Sequence, residues 1–371
     1  MKIAQLGCFD RNFGDSIALM NPRRSINKNI NNIEWSSVDL VARFHNVRNS
    51  VSICRKILSE ISEKNDIFFI GGAGLIEDEK RFGTGWKLPF DKKILSDIKI
   101  PIIVFGVGLN FHRRQVSLRE PSFEKLCLLI DQSEIFSVRN DGSYENLHGF
   151  FKKYKGDMSL FDKVQVVPDA GLIFEPEEQN NRVTEIRNKV FNPAWSNKSI
   201  LREDSRKLHF ILNNPKIKEV LNKEYSFYPH TSKDFNKKVC KNYRLDKEMF
   251  KHYSKTENIY EALSFYDTFH LMFGLHAHAQ LISIGKNVPC ISYSSVDKIS
   301  DFVKKYNLEE FNIEPEGKTE KDVTKEFLQL NDRFTNDADF LNSWYNKRDV
   351  MVKKLHSEYD EGINNVCNII K

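Results

Sequence analysis

The sequence predicts an α/β protein of two successive units, each a parallel sheet covered by helices on both faces. Three observations carry that expectation. Short, wholly apolar runs recur and end abruptly in glycine, proline or a charged residue. Helical apolar spacing fills the intervals. A polar stretch from about Glu175 to Arg206 interrupts the rhythm before it begins again. Strands that read as unbroken apolar runs, rather than as an alternation, belong to sheets buried on both faces.

Lys2–Leu6 reads as the first strand and runs into Gly7. Val51–Glu63 has helical spacing at Val51, Cys54, Ile57, Leu58 and Ile61. Asp66–Ile70 reads as a strand, followed at once by Gly71-Gly72-Ala73-Gly74. Ile102–Phe105 is another, ending in Gly106-Val107-Gly108. Phe123–Gln132 reads as a helix, and Ile135–Val138 and Val164–Val167 as strands that stop at Arg139 and at Pro168-Asp169. After the polar stretch the cycle restarts. Leu208–Leu212 and Ser226–Tyr228 read as strands and Ile259–Phe265 as a helix. His270–Phe273 and Pro289–Tyr293 read as strands separated by Ala277–Gly285. Asp339–Ile370 has long helical periodicity. These readings divide the chain into a first unit over residues 1–175, a linker or peripheral segment over 176–206, a second unit over 207–338, and a C-terminal helix over 339–371.

The 371 residues suffice for two or three domains. With 40% hydrophobic and 29% charged residues, the chain can bury a core, which excludes a disordered or fibrous class. The longest nearly apolar stretches, Ile67–Ile76 and Ile98–Leu109, fall far short of the ~20 residues that span a bilayer. The N-terminal residues lack the shape of a secretory signal, so the expectation is a cytoplasmic protein. A net charge of +5, without a long Lys/Arg block, argues against a nucleic-acid partner and suits anionic small substrates. Cys8, Cys54, Cys127, Cys240, Cys290 and Cys367 are scattered singly, which gives neither a zinc site nor a dithiol motif.

In such sheets ligands lie beyond the carboxyl ends of the strands, and most of the chemistry-bearing residues fall at those ends. Asn12-Phe13-Gly14-Asp15 follows the first strand, with Asp15 either capping the next helix or orienting a sugar hydroxyl. The turns carrying Gly72 and Gly74, and Gly108 with Asn110, could turn amides toward an anion or simply pack closely. Arg139 could grip a phosphate or carboxylate through two parallel bonds, or pair with Asp141. Asp169 could cap, or fix Arg139. His230 closes a strand at Tyr228-Pro229-His230. His276-Ala277-His278 is the most distinctive polar spot. Two histidines at this spacing could ligate a metal, but no convincing third and fourth ligand accompanies them, so no metal is expected. A general acid–base role fits them better. Lys298 follows the last strong strand as a point charge. Two units facing each other would gather these residues in one cleft.

Taken in order, these motifs resemble the polysaccharide pyruvyl transferases. The matching residues are Asn12-Phe13-Gly14-Asp15, Ile70–Leu75, Phe105–Asn110, Ser137–Asp141, Pro168-Asp169, and His278-Ala279 followed by Gly285, Pro289, Tyr293 and Lys298. The resemblance spans roughly Lys2 to Leu308. It departs at two points: His276 stands where the family has an arginine expected to bind the donor, and Asn140 stands where aspartate is common. The resemblance implies a GT-B-like fold of two Rossmann-like domains around a cleft, with the C-terminal helix over 339–371 returning to the first. It also implies transfer of a pyruvyl unit from phosphoenolpyruvate to two hydroxyls of one sugar, as a cyclic ketal.

On that reading His278, Asp15 and Arg139 are catalytic. Lys298, His276, Asn12, Gly14, Gly72, Gly74, Asn110, Asp169 and His230 bind substrate. Phosphoenolpyruvate is a co-substrate, no cofactor is needed, and the acceptor is a saccharide, free or lipid-linked. The resemblance extends to work at the inner face of the membrane with peripheral contact. Two other classes fit the same features: a GT-B glycosyltransferase using a nucleotide sugar, and a non-catalytic glycan-binding module.

Overall fold

The computed structural model describes residues 1–9, 13–44, 50–76, 90–109, 118–193, 211, 214–228, 230 and 259–371. Asn12, Asn110 and, apart from Ile211, the strand expected at Leu208–Leu212 lie outside these residues. The chain divides into two compact units. Unit 1 comprises Met1–Phe9, Asp15–Ala170 and His356–Lys371; unit 2 comprises Asp10–Gly14 and Gly171–Leu355.

Unit 1 holds a sheet of six strands among the described residues: β1 (Lys2–Gly7), β2 (Glu34–Asp39), β3 (Ile67–Gly71), β4 (Ile102–Val107), β5 (Ser133–Arg139) and β6 (Val164–Val167). Their order is β2-β1-β3-β4-β5-β6, and every pairing is parallel. Sequence explains the layout. β3 (Ile-Phe-Phe-Ile-Gly) and β4 (Ile-Ile-Val-Phe-Gly-Val) are buried at every position and sit in the middle of the sheet. β2 (Glu-Trp-Ser-Ser-Val-Asp) is largely solvent-facing and sits at an edge, as does β6, whose two middle residues are exposed. Apolar residues of the flanking helices, such as Cys54, Leu58, Leu126 and Leu147, fill the core against Leu6, Ile70, Val104 and Phe136. The end of the long helix Ala338–Ile370 belongs to this unit: Tyr359 packs edge-on against Phe105 with ring centroids 5.8 Å apart.

The second sheet has five strands among the described residues: β7 (Lys189–Asn192), β8 (Tyr225–Phe227), β9 (Leu271–Gly274), β10 (Cys290–Tyr293) and β11 (Asn312–Ile313). Their order is β11-β10-β9-β7-β8, again all parallel. β7 lies inside the 176–206 stretch that reads as a linker. Its apolar run is only Val190-Phe191, bracketed by polar ends, and it begins with a buried lysine. That lysine is tolerated because Glu224 pairs with it at 2.6 Å and Asn331 accepts from it at 3.1 Å. Phe191 packs on Phe227 and Phe273, each with centroids 5.2 Å apart, so a short strand is still well packed between β8 and β9. Among the described residues no helix is long and apolar enough to cross a membrane.

Candidate functional site

In the second sheet the strand order reverses at β7, between β8 and β9. Strand ends diverge at such a reversal and open a crevice for ligands. β9 runs through Gly274-Leu275 into His276, which caps the helix Ala277–Gly285. The His276 side chain makes no capping bond, so the first-turn amides of this helix form a positive pole at the strand end. His276 is half-buried and His278, in the first turn, is 7% exposed.

His230, 1% exposed, completes a group of three histidines. Its ring lies nearly parallel to that of His276, with centroids 6.2 Å apart and 10° between planes. Its Nε2 is hydrogen-bonded to Tyr266 Oη at 2.7 Å. Burial pushes the His230 imidazole well below its ordinary value, and the charges of His276 and His278 push it further the same way. His230 is therefore neutral near pH 7 and adds bulk and a hydrogen bond rather than charge.

Phe13 and Gly14 complete this group. The Phe13 N–H donates to the His230 carbonyl at 3.2 Å, and the Phe13 ring meets His230 edge-on at 5.1 Å. Gly14 lies directly against His278. A Cβ there would fall within the imidazole and its Cβ, so only glycine fits. Lys298 is half-buried in the first turn of the helix Asp297–Lys305, after β10. The ends of β9 and β10 are joined where Ser295 Oγ donates to Leu275 O at 3.2 Å.

The carboxyl edge of the first sheet is different. Arg139, at the end of β5, is 2% exposed. One terminal nitrogen pairs with Asp169 at 2.7 Å and the other with Asp141 at 2.9 Å. Burial works against the charge of Arg139, but Asp141, Asp169 and Asp15 outweigh it and raise the guanidinium above its ordinary value. Gly108 gives the guanidinium its space: a Cβ there would collide with it. Asp141 also accepts from Ser143 Oγ at 2.5 Å, which in turn accepts from the Leu109 N–H at 2.9 Å. Asn140 Oδ1 accepts from the Asp169 N–H at 3.2 Å. The alternative pairing of Arg139 with Asp141 and its fixing by Asp169 thus occur together, and both are buried.

The remaining expected residues fall as follows. Asp15 is half-buried and acts on Arg139 through space. Gly72 has φ +69°, and a Cβ would come within 3.0 Å of the Ala18 backbone, so this turn lets the helix Phe13–Asn29 pack closely. Gly74 is half-buried in the same loop. Three contributors were not singled out from the sequence: Tyr266, Ser143 and Asn192. Asn192 lies in Val190-Phe191-Asn192-Pro193, where Asn-Pro after an apolar pair is a strand-end signal.

Comparison with known proteins adds family and fold. The family model for polysaccharide pyruvyl transferases matches residues 10–297. Solved structures similar to this chain include a complex of MnaA with UDP from S. aureus, at TM-score 0.51 and 12% identity, covering 94% of this chain and 90% of that one. An α-glucosyltransferase bound to UDP and DNA gives TM-score 0.51 and 11% identity, covering 99% of each chain. An α,α-trehalose 6-phosphate synthase from Burkholderia multivorans gives 0.53 and 8%, covering 100% of this chain and 99% of that one. These likenesses show a GT-B-like α/β fold. Comparison with curated proteins returns no match.

Proposed function

The chain belongs to the polysaccharide pyruvyl transferase family, and from that premise we propose that it forms a pyruvate ketal on a saccharide, with phosphoenolpyruvate as donor. The observation that carries the proposal is the positive pole of the helix Ala277–Gly285, flanked by His276 and His278 at the reversal of strand order in unit 2. Phosphoenolpyruvate brings a phosphate and a carboxylate on three adjacent carbons. Helix amides and imidazolium groups suit such an anion, because the amides need no reorganisation and an imidazolium carries the opposite charge.

In this reading His276 and Lys298 hold the donor, His276 taking the part played in the family by arginine. His278 gives a proton to the donor's methylene carbon, which leaves C2 electron-poor. A sugar hydroxyl attacks C2 and loses its proton to Asp15, forming a tetrahedral phosphoketal. The C2–O bond to phosphate then breaks, inorganic phosphate departs, and the second hydroxyl closes the ring with loss of its proton. One phosphoenolpyruvate and one diol yield one ketal and one phosphate. Arg139 and Asp169 hold the strand ends of unit 1 rather than the donor, since both terminal nitrogens of Arg139 already face carboxylates. The saccharide acceptor is free or lipid-linked, and no cofactor takes part.

A thermal-shift panel tests the reading, because a ligand that binds only the folded state raises the midpoint by mass action. Phosphoenolpyruvate is expected to raise it more than phosphate or pyruvate. A rise with a UDP-sugar alone would move the assignment to glycosyl transfer, the reading suggested by UDP in the structural relatives.

A further inference from the structure

Asn192 ends β7, the strand about which the second sheet reverses. It is fully buried, and its polar groups reach both neighbouring strand ends. Nδ2 donates to Tyr228 O, just past β8, at 2.7 Å. Oδ1 accepts from the His276 N–H at 3.2 Å. Its carbonyl accepts from the Leu275 N–H at 3.0 Å. The regular ladder stops at the pair Asn192–Gly274. Beyond that pair, one residue holds Leu275 and His276 together. Gln280 fastens the same turn from the other side, its Nε2 donating to Gly274 O at 2.9 Å and to Tyr293 O at 3.2 Å. The start of the helix that carries His278 is thus clamped between two buried amides.

We propose that Asn192 is a positioning residue for His276 and His278: by holding the His276 backbone it sets the direction of the first-turn amides and the place of both imidazoles. This rests on the role given above to that helix pole. The chemistry requires an amide. A carboxylate of the same shape would still accept from the His276 N–H. It would, however, face the Tyr228 carbonyl as a second acceptor and bring negative charge to the place an anionic donor must occupy. A side chain that only filled space would feel the lost bond and not the charge.

The test uses the full chain carrying Asn192→Asp. The half-saturating concentration of phosphoenolpyruvate at pH 7 is expected to rise about tenfold or more, with a smaller fall in kcat. In histidine-labelled protein the ring signals of His276, identified with a His276→Gln sample, are expected to move. Unchanged KM together with unchanged ring signals would overturn the inference. If Asn192→Asp does not fold, Asn192→Ser, smaller and uncharged, is read by the ring signals, and unmoved signals there overturn it equally. If the native protein ignores phosphoenolpyruvate, the proposed function falls, and the ring signals alone still decide the role of Asn192.

Discussion

At the carboxyl edge of the first sheet, Arg139 is buried between Asp141 and Asp169, with Ser143 and Asn140 completing the bonds. At the same edge of the second sheet, a half-buried His276 stands at a helix N-terminus, with His278 behind Gly14 and a neutral His230 behind both. Both edges hold ionisable groups at strand ends, and position alone does not separate them. Partners do. A guanidinium met by two carboxylates has its charge answered within the fold, and removing it leaves those carboxylates stranded. Imidazoles grouped with a phenol and with helix amides form a positive pole that suits an anionic ligand. The first edge answers its charge within the fold; the second is the edge to which the proposed function assigns an anionic donor.

The largest expected effect lies on the second edge. His278→Ala should lower turnover by roughly 10²–10⁴-fold, the usual worth of a positioned acid or base. Phosphate release from phosphoenolpyruvate in the presence of acceptor measures it. Near-normal turnover would remove His278 from the chemistry and break the comparison.

On the first edge the loss should fall on stability instead. Arg139→Ala breaks a buried ion pair, a change that typically costs about 3–5 kcal/mol. For a chain of this size the midpoint should drop by roughly 5 °C. A stable Arg139→Ala protein that had lost only its affinity for phosphoenolpyruvate would make Arg139 a ligand after all.

Gly14→Ala sharpens the contrast from within the second edge. The added methyl must displace His278, and turnover should fall roughly tenfold or more, with a smaller change in the half-saturating donor concentration. The smallest expected effect is on pH. His230 has a depressed value in the folded state, so the unfolded chain takes up a proton that the native state refuses. Stability should be unaffected above about pH 6.5 and should fall as pH drops below it, by at most about 1.4 kcal/mol per pH unit. His230→Gln should flatten that slope in denaturant titrations run across pH.

Much of this was legible in the sequence. The apolar runs at Ile67–Ile70 and Ile102–Phe105 belong to strands buried on both faces, and their shortness and the glycines that follow them favour strand over helix. The motif containing His278 and Pro289 pointed to the second edge. Other elements were not legible, for physical reasons. β2 is an edge strand with an exposed, polar sequence, and β7 offers only two apolar residues; both owe their conformation to neighbours far along the chain. Arg139 could be placed at a strand end with Asp141 or Asp169 as a partner, but that both carboxylates meet it at once, and buried, emerges only in the folded sheet. Tyr266 and Asn192 belong to no motif. Their importance comes from tertiary hydrogen bonds that sequence spacing does not encode.

The most direct measurement is a calorimetric titration of phosphoenolpyruvate into the native protein, His276→Ala and Arg139→Lys. The account predicts binding that is lost or much weakened in His276→Ala and retained in Arg139→Lys, where the buried positive charge is kept. Binding that survives His276→Ala and disappears in Arg139→Lys would place the donor on the first edge and contradict the account.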